Sequence, residues 1–308
     1  MDRWSRWVQH FQWVVLSVLL SASLASAQQL EPRFFSNSPV GLNAVAVGFT
    51  RSGGNVLLVP SLPLDDVDGD LNLAVLAYVR AVDFFGRSAK LSATLPYAWG
   101  EYRGFLNEEF RTRKLAGWGD PFFRFAVNFL GAPALDAKEF AGYRQGTIVG
   151  ADVQVGVPLG KYEPDRLFNL GANRWTIRPG IGASTVWRRR WFFEVAAGIW
   201  LFTRNDDFFG GNTLDQKPIY AIKAHAIRLF QRGLWWSFDF GYGTGGEWKV
   251  SGAPSGNTQR NYRFGSTFSL PLGGGHSIKA VFATGLARGF GSDFDAVAVV
   301  YQYTWIRK

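Results

Sequence analysis

The sequence predicts an all-β fold, a transmembrane antiparallel up-and-down β-barrel of about twelve strands. Three observations predict it. Segments of alternating polarity recur along the chain, and this period of two is that of a strand with two different faces. The connections between these segments alternate between short and long, as periplasmic turns and extracellular loops do. The final segment ends in aromatic residues, whose rings favour the membrane interface.

The first 27 residues read as an export signal. Arg3 and Arg6 precede an apolar run from Trp13 to Leu20, and small residues follow up to Ala27. A basic segment, a short apolar core and a small-x-small site predict a secretory signal that is cleaved after Ala27. The apolar run is shorter than the ~20 residues that a spanning helix needs. We therefore expect the protein in the bacterial outer membrane.

The rest of the chain divides into residues 28–39, an N-terminal periplasmic or luminal segment, and residues 40–308, the barrel. No later apolar run is long enough for a membrane helix. The chain has no cysteine, which excludes disulfides and thiolate metal sites. Its net charge is +9, and for an exported protein this favours acidic solutes or lipopolysaccharide phosphates as partners, not nucleic acid.

The alternating segments account for each predicted strand. In chain order they are 40–50, 71–80, 89–99, 123–129, 149–157, 175–184, 193–201, 220–226, 234–242, 262–270, 278–282 and 295–305. The short connections are 83–87, 188–190, 231–233 and 271–275, and the long ones are 51–70, 103–117, 158–173, 204–217 and 245–258. The connection 130–146 is an exception, because it is long although it lies at the end where the other connections are short. Residues 134–143 within it are predicted to form a small periplasmic helix.

The last strand is predicted to close the barrel. Its large face includes Tyr301, Tyr303 and Trp305, whose rings would meet outer-membrane lipid at the membrane interface. Assembly by the barrel-assembly machinery is expected to depend on this strand, although Ile306 to Lys308 depart from the usual aromatic end. An amphipathic strand of a soluble sheet would fit these residues equally well. A soluble lipocalin-like barrel, however, closes at about eight strands around one small cavity. The strand count, the export signal and the loop asymmetry favour the membrane barrel.

The inward face is predicted to be ionic. The basic residues assigned to the lumen are Arg80, Lys90, Arg124, Arg178, Lys223, Arg263 and Lys279, and the acidic ones are Asp152, Glu194 and Asp239. Such a row implies water or pairing, because charges in a dry core are costly. Two interpretations stay open: a conduit whose basic ladder attracts anions, or a closed barrel in which the charges neutralise one another.

Other candidate chemistry is weaker. Asp66, Asp68 and Asp70 could supply oxygen ligands to calcium, but their spacing lacks the glycine and distal glutamate of a known calcium loop, and a solvated acidic turn fits as well. We expect no cofactor. After the predicted signal, His225 and His276 are the histidines, and neither adjoins a persuasive nucleophile. The chain is therefore not expected to be an enzyme, although a surface hydrolase is kept as a third alternative.

Several short motifs add a family resemblance. They are Leu30 to Arg33, Ser38 to Gly41, Asp83 to Ala89, Gly119 to Pro121, Asn169 to Trp175 and Asn205 to Gly211. Together they resemble the outer-membrane transporter family named for the meta-pathway of phenol degradation. The family-motif residues at the candidate site are Asn173, Arg174, Trp175, Asn205, Asp206 and Asp207. The resemblance implies a barrel fold, an outer-membrane location and uptake of small aromatic or otherwise hydrophobic compounds.

Overall fold

The structure, a computed structural model, describes residues 30–57, 64–106, 109–166, 169–254, 256, 258–287 and 291–306. The predicted signal segment 1–27 lies outside these residues, so cleavage after Ala27 stays a prediction. Among the described residues, no helix is long and apolar enough to span a membrane.

The described chain consists of strands and one short helix. The strands are β1 (Leu42–Leu57), β2 (Leu64–Phe84), β3 (Arg87–Leu106), β4 (Glu109–Trp118), β5 (Phe122–Leu130), β6 (Ile148–Gly156), β7 (Thr176–Trp187), β8 (Trp191–Phe202), β9 (Asn205–Phe208), β10 (Asn212–Gln216), β11 (Ile219–Gln231), β12 (Leu234–Gly245), β13 (Trp248–Val250), β14 (Ala253–Pro254), β15 (Gln259–Gly273), β16 (His276–Ala287) and β17 (Gly291–Ile306). The helix α1 (Ala137–Gly142) lies between β5 and β6.

The predicted antiparallel barrel is confirmed. Its wall runs β1, β2, β3, β5, β6, β7, β8, β11, β12, β15, β16 and β17, and each strand pairs antiparallel with its neighbours. β17 then pairs with β1 from Leu42 opposite Ile306 to Leu57 opposite Gly291, which closes the ladder. The last strand therefore leaves no free edge in the wall, as a barrel in lipid requires.

The two ends of the barrel differ. At the end assigned to the periplasm, tight turns join the strands, and α1 interrupts this pattern between β5 and β6. Asp136 caps α1 and forms a capping box with Glu139, so the helix is shorter than the predicted 134–143. At the other end β4 extends the hairpin with β3, and β9, β10, β13 and β14 form a separate four-stranded sheet. This sheet packs on an apolar cluster that includes Trp200, Phe208 and Trp248.

The barrel is apolar outside and polar inside. Large side chains such as Val47, Phe193 and Val299 are 53%, 42% and 52% exposed, whereas Asp152 and Asp239 are buried. Successive residues of a strand point to opposite faces, so each strand contributes one residue in two to each surface. An exposed apolar band of this kind is what a lipid environment accommodates.

Trp305→Ala is expected to lower the yield of folded barrel severalfold. The Trp305 ring stacks on Tyr303 at 5.5 Å between centroids, next to the seam with β1. Such aromatic pairs are worth about 0.5–1.5 kcal/mol beyond their buried area. Yield is measured as the fraction that migrates faster on a gel without heating. Trp118→Ala, which removes an exposed tryptophan from β4, is the control. Equal yields for the two variants would contradict the role given to the closing strand.

Candidate functional site

The N-terminal segment lies inside the barrel. We call residues Leu30 to Asn37 the plug. Leu30 reaches the inner face of β12 and β15, where a Cβ on Gly265 would come within 2.5 Å of its Cδ1 atom. Phe35 is only 3% exposed, and a Cβ on Gly182 would lie 2.1 Å from its Cε2 atom. These contacts place the side chains of Leu30 and Phe35 on the inner side of the barrel wall.

Luminal side chains bind the backbone of the plug. Glu194 Oε2 accepts a hydrogen bond of 2.7 Å from the Arg33 backbone N–H. Lys90 Nζ donates to the carbonyl oxygens of Phe34 and Ser36, both at 2.7 Å. Asn128 Nδ2 donates to the Phe35 carbonyl at 3.1 Å. Because these plug groups are not in a sheet, the barrel side chains satisfy their hydrogen-bonding needs.

An ion-pair cluster links the plug to the barrel wall. Arg124 Nη1 lies 2.6 Å from Glu31 Oε2, and Arg124 Nε lies 2.9 Å from Asp152 Oδ2. Arg178 Nη2 shares the same Asp152 oxygen at 2.7 Å. The Arg124 guanidinium also lies 3.4 Å from the centroid of the Phe34 ring. Two luminal arginines are therefore neutralised by one wall carboxylate and one plug carboxylate.

A second buried polar cluster surrounds Asp239, which is fully buried. His225 Nδ1 lies 2.7 Å from Asp239 Oδ1, while the hydroxyls of Ser237 and Thr267 donate to Oδ2 at 3.0 and 3.1 Å. Ser237 thus donates to the carboxylate and not to the histidine, so these contacts do not form a nucleophile–base pair. The expectation that the chain is not an enzyme stays a prediction.

Most residues assigned to the lumen do lie on the inner face. Lys223 is buried there, and Lys279 donates to the inward-facing Gln302 at 2.9 Å. Arg263 also points inward, since its Nη2 atom would lie 3.4 Å from a Cβ on Gly285. The inward-facing residues of the predicted set are Lys90, Arg124, Arg178, Lys223, Arg263, Lys279, Asp152, Glu194 and Asp239. Whether they contact a solute stays a prediction.

The assignment of Arg80 to the lumen is wrong. Arg80 is exposed and shares the outer face of β2 with Leu76 and Tyr78, which are 50% and 38% exposed. Its partner on β3 is Leu91, another exposed apolar residue. Arg80 lies near the periplasmic end of β2, where a long side chain can extend its charge to the membrane interface.

The opposite face of β2 forms an apolar inner wall together with its neighbours. Val75 pairs with Gly48 of β1, and Gly48 pairs with Val300 of β17, so the three residues share one face. The opposite face carries Val47, Leu76 and Val299, which are about half exposed, so the face with Val75 points inward. We call the following residues the apolar wall: Ala44, Ala46, Leu71, Leu73, Val75, Ala77, Val79, Ala296, Ala298 and Val300. All are half-buried, whereas Arg124, Asp152 and Glu194 beside the plug are buried. The plug contacts described above therefore lie on the ionic side, and the apolar wall keeps part of its surface accessible.

Three of the family-motif residues, Asn173, Asn205 and Asp207, bind one another at the end of the barrel opposite the one assigned to the periplasm. Asn173 Nδ2 donates to Asn205 Oδ1 at 2.9 Å, and Asn205 Nδ2 donates to the Tyr162 hydroxyl at 3.0 Å. The Asp207 backbone N–H donates to the same Asn205 oxygen at 3.1 Å. Asn173 has φ 51°, in the left-handed region that asparagine tolerates. These contacts hold the loop before β7 against β9.

The remaining motif residues divide between core and surface. Arg174 is buried, donates to Gln216, and lies 4.5 Å over the Phe202 ring. Burial lowers the pKa of Arg174 to about 10, although nearby Tyr162, Asp120 and Asp215 favour its charged form. Trp175 is 47% exposed and Asp206 is exposed. The motif therefore builds the loop scaffold and lines no part of the ion-pair cluster.

The described residues do not form a site that supports the calcium hypothesis. Asp70 pairs with Arg51 at 3.0 Å, and the part of the chain that the structure describes has no group of three His, Cys, Asp or Glu residues close enough to hold a metal. The side chain of Asp66 lies outside the described residues, so the hypothesis itself stays a prediction.

A cavity of about 610 Å³ lies at the outer mouth, between β2–β4 and the loop before β7. Trp99 lines it together with both acidic and basic side chains. Glu163 pairs there with Arg113 and Lys161, both at 3.2 Å. Because these charges neutralise one another, the cavity offers no concentrated charge of one sign.

Sequence reasoning missed the plug contacts. The pairing of Glu31 with Arg124 and the burial of Phe35 in the lumen were not predicted, because the plug has no strand periodicity. A signal was present in the strands, since Gly150, Gly182 and Gly265 occupy inward positions where a side chain would collide with the plug or with its neighbours. A glycine inside a strand often marks the close approach of another segment.

Comparisons with known proteins agree with this architecture. A family profile described as "Putative MetA-pathway of phenol degradation" matches residues 47–306. The chain is similar to the COG4313 outer membrane channel from Pseudomonas putida F1, with 18% identity, a TM-score of 0.74, and coverage of 90% of this chain and 100% of that one.

Two autotransporter barrels are more distant. The transport unit of AIDA-I from Escherichia coli has 11% identity, a TM-score of 0.53, and coverage of 96% of this chain and 99% of that one. The β domain of the Bordetella autotransporter BrkA has 13% identity, a TM-score of 0.51, and coverage of 86% and 100%. A search of curated proteins found no match. At these identities the likeness establishes the fold alone.

Proposed function

Because the chain belongs to the family described as "Putative MetA-pathway of phenol degradation", we propose that it is an outer-membrane channel for small amphipathic solutes. The solutes we infer are aromatic or otherwise hydrophobic compounds, among them organic anions. The similar solved structure from Pseudomonas putida F1 is described as an outer membrane channel, which supports this class of function.

The observation that carries the proposal is the two-sided lumen. On one side the apolar wall is only half-buried, so part of its surface is accessible to a solute. On the other side Lys90, Lys223 and Lys279 carry positive charge that no luminal carboxylate pairs with at salt-bridge distance among the described residues. A ring or chain would pack on the apolar wall, and a carboxylate or phenolate would turn toward the basic side. A solute with both parts fits this lumen better than a sugar does.

Ala298→Asp tests the apolar wall. Ala298 faces inward opposite Val281 and Thr50. The new carboxylate would repel an organic anion and hydrate the apolar side, so uptake of radiolabelled benzoate into proteoliposomes should fall by about tenfold, the equivalent of about 1.4 kcal/mol.

Ala298→Val is the size control and should reduce benzoate uptake less, since it keeps the wall apolar. Leakage of labelled sucrose should not change between the variants. The proposal fails if Ala298→Asp carries benzoate as fast as the wild type, or if wild-type vesicles admit sucrose and benzoate equally.

Location and partners follow from the same proposal. The mature chain is expected to fractionate with outer membranes and to contact phospholipid and lipopolysaccharide along its apolar band. Its assembly is expected to use the barrel-assembly machinery. Recovery of the full-length chain in the cytoplasm would contradict this part of the proposal.

A closed structural or adhesive barrel is the second candidate function. It is favoured by the pairing of Arg124 and Arg178 with Asp152 and by the hydrogen bonds that anchor the plug. Planar-bilayer recording of the purified wild type separates the candidates. A wild-type channel gives discrete conductance steps. A sealed barrel gives no steps, either as the wild type or as the plug-weakening variant Gly182→Ala.

A further inference from the structure

An arginine-rich surface lies on the outer wall at the periplasmic end of β7, β8, β11 and β12. We call it the arginine–tryptophan patch. It comprises Arg188, Arg189, Arg190, Arg228, Arg232, Trp187, Trp191 and Trp236. None of these residues belongs to the ion-pair cluster or the apolar wall. They are not part of the family motif and have no role in the proposed transport.

The patch is built across the strands. Trp187 pairs with Trp191, Trp191 with Arg228, and Arg228 with Trp236, so the four residues form one row on the outer face. The Arg228 guanidinium lies 5.2 Å from the Trp191 ring centroid. Trp187 and Trp236 are 49% and 39% exposed. Cross-strand neighbours on one face lie close enough for their side chains to act on one ligand.

Among the residues that the structure describes, the arginines of the patch have no acidic partner. Within the described part of the chain, no carboxylate lies within 4.0 Å of any of the five, whereas Arg124 and Arg178 in the lumen both pair with Asp152. Arg188 instead lies 4.3 Å over the Trp187 ring. Their charge is therefore available to an external anion.

The turn between β7 and β8 holds two of these arginines in a conformation that arginine rarely adopts. Arg188 and Arg189 have φ 49° and 61°, in the left-handed region. The Arg190 N–H donates to the Trp187 carbonyl, so Arg188 and Arg189 are the two central residues of a β-turn. A β-turn with positive φ at both central residues favours asparagine and glycine there. The turn between β11 and β12 has Gly233 at φ 82°. Strain at a non-glycine position points to a use for the side chain.

We propose that the arginine–tryptophan patch binds the headgroup of an anionic phospholipid in the periplasmic leaflet. Arginine is suited to phosphate because its planar guanidinium can donate two parallel hydrogen bonds. The tryptophans lie where indole rings favour the headgroup level. Lipid-facing Phe193 and Val195, 42% and 49% exposed, continue from the patch along β8 and offer a path for an acyl chain.

A phospholipid fits this surface better than a free phosphate does. Inorganic phosphate would use the arginines but not the tryptophans or the aliphatic residues beside them. Lipopolysaccharide belongs to the leaflet at the other end of the barrel. The patch therefore fits a ligand that has both a phosphate group and a hydrocarbon chain.

Native mass spectrometry of the purified full chain in detergent tests the proposal. Titration with phosphatidylglycerol should give binding at least about tenfold tighter than titration with phosphatidylcholine. The variant Arg188→Asn with Arg189→Gly places favoured residues in the turn, so it should fold as well as the wild type. It should bind phosphatidylglycerol more than about tenfold more weakly, since each surface arginine contributes about fivefold.

Arg80→Gln is the matched control, because Arg80 is also an exposed, outward-facing arginine near the periplasmic end, but on β2. It should leave phosphatidylglycerol binding within about twofold of the wild type. Arg228→Gln, which keeps the turn intact, should weaken binding about fivefold. The proposal is overturned if the turn variant binds phosphatidylglycerol normally, if Arg80→Gln weakens binding equally, or if millimolar inorganic phosphate displaces the lipid completely.

Discussion

Gly182→Ala is expected to release the plug and raise the single-channel conductance severalfold. The new methyl group would lie 2.1 Å from Phe35 Cε2, far inside van der Waals contact, and the next contacts are other atoms of the same ring. Phe35 is only 3% exposed, and loss of a buried phenylalanine costs about 3–5 kcal/mol. The collision therefore destabilises the state in which the plug is bound in the lumen, while β7 itself can keep its pairing with β6 and β8. Planar-bilayer recording measures the result.

Gly241→Ala is the matched control for this change. It adds the same methyl group to the same inner surface, but the nearest plug atom, Leu30 Cδ2, lies 3.4 Å away, which is ordinary contact. Its conductance should match that of the wild type. Cleavage of the plug by an added protease should accelerate in Gly182→Ala alone. Identical traces for both variants would show that the plug is not what limits conduction.

Asp152→Ala is expected to destabilise the barrel by about 3–5 kcal/mol, since it leaves buried charges without their partner. The Asp152 side chain is 2% exposed and pairs with Arg124 and Arg178, whose side chains are 8% and 7% exposed. Glu31 can still pair with Arg124, so the loss falls mainly on Arg178. Urea unfolding in micelles, followed by tryptophan fluorescence, measures the change in stability.

Two further variants sharpen this experiment. Asp70→Ala removes an acid whose partner Arg51 is 69% exposed, so it should cost at most about 1 kcal/mol. Adding Arg178→Leu to Asp152→Ala removes the stranded cation and should restore a large part of the lost stability. If the double variant is less stable than Asp152→Ala, the buried pair is not the source of the effect.

The ionic lumen illustrates what alternation can and cannot predict. The period of two assigned Lys90, Arg124 and Lys223 to the inner face, where the structure places them. The same pattern failed on β2, where Arg80 lies outside and Val75 inside. Alternation separates two faces but does not say which one is inside, and on β2 the inner wall is itself apolar. Which face of a strand points into the lumen can be assigned only when its pairing with the neighbouring strands is known.

The plug could not be located from local pattern. Its contacts join residues far apart in the chain, such as Arg33 with Glu194, 161 positions apart, and Arg124 with Glu31, 93 apart. No periodicity marks such pairs, because each depends on the shape of a lumen that twelve strands form together. From the sequence, Arg178 is likewise predicted only to face inward. Its ion pair with Asp152 forms because β6 pairs with β7 and places Asp152 beside it.

The sequence by itself determined the all-β class, the strand count, the short and long ends of the barrel and most inward-facing residues. These follow from side-chain alternation and turn length, which are local properties of the backbone. Only the tertiary structure decided that the plug contacts the ionic side, that Asp152 is shared by Arg124 and Arg178, and that the apolar wall is only half-buried. The physical reason is that pairing and burial depend on which strands become neighbours, and closure of the barrel sets that arrangement for the chain as a whole.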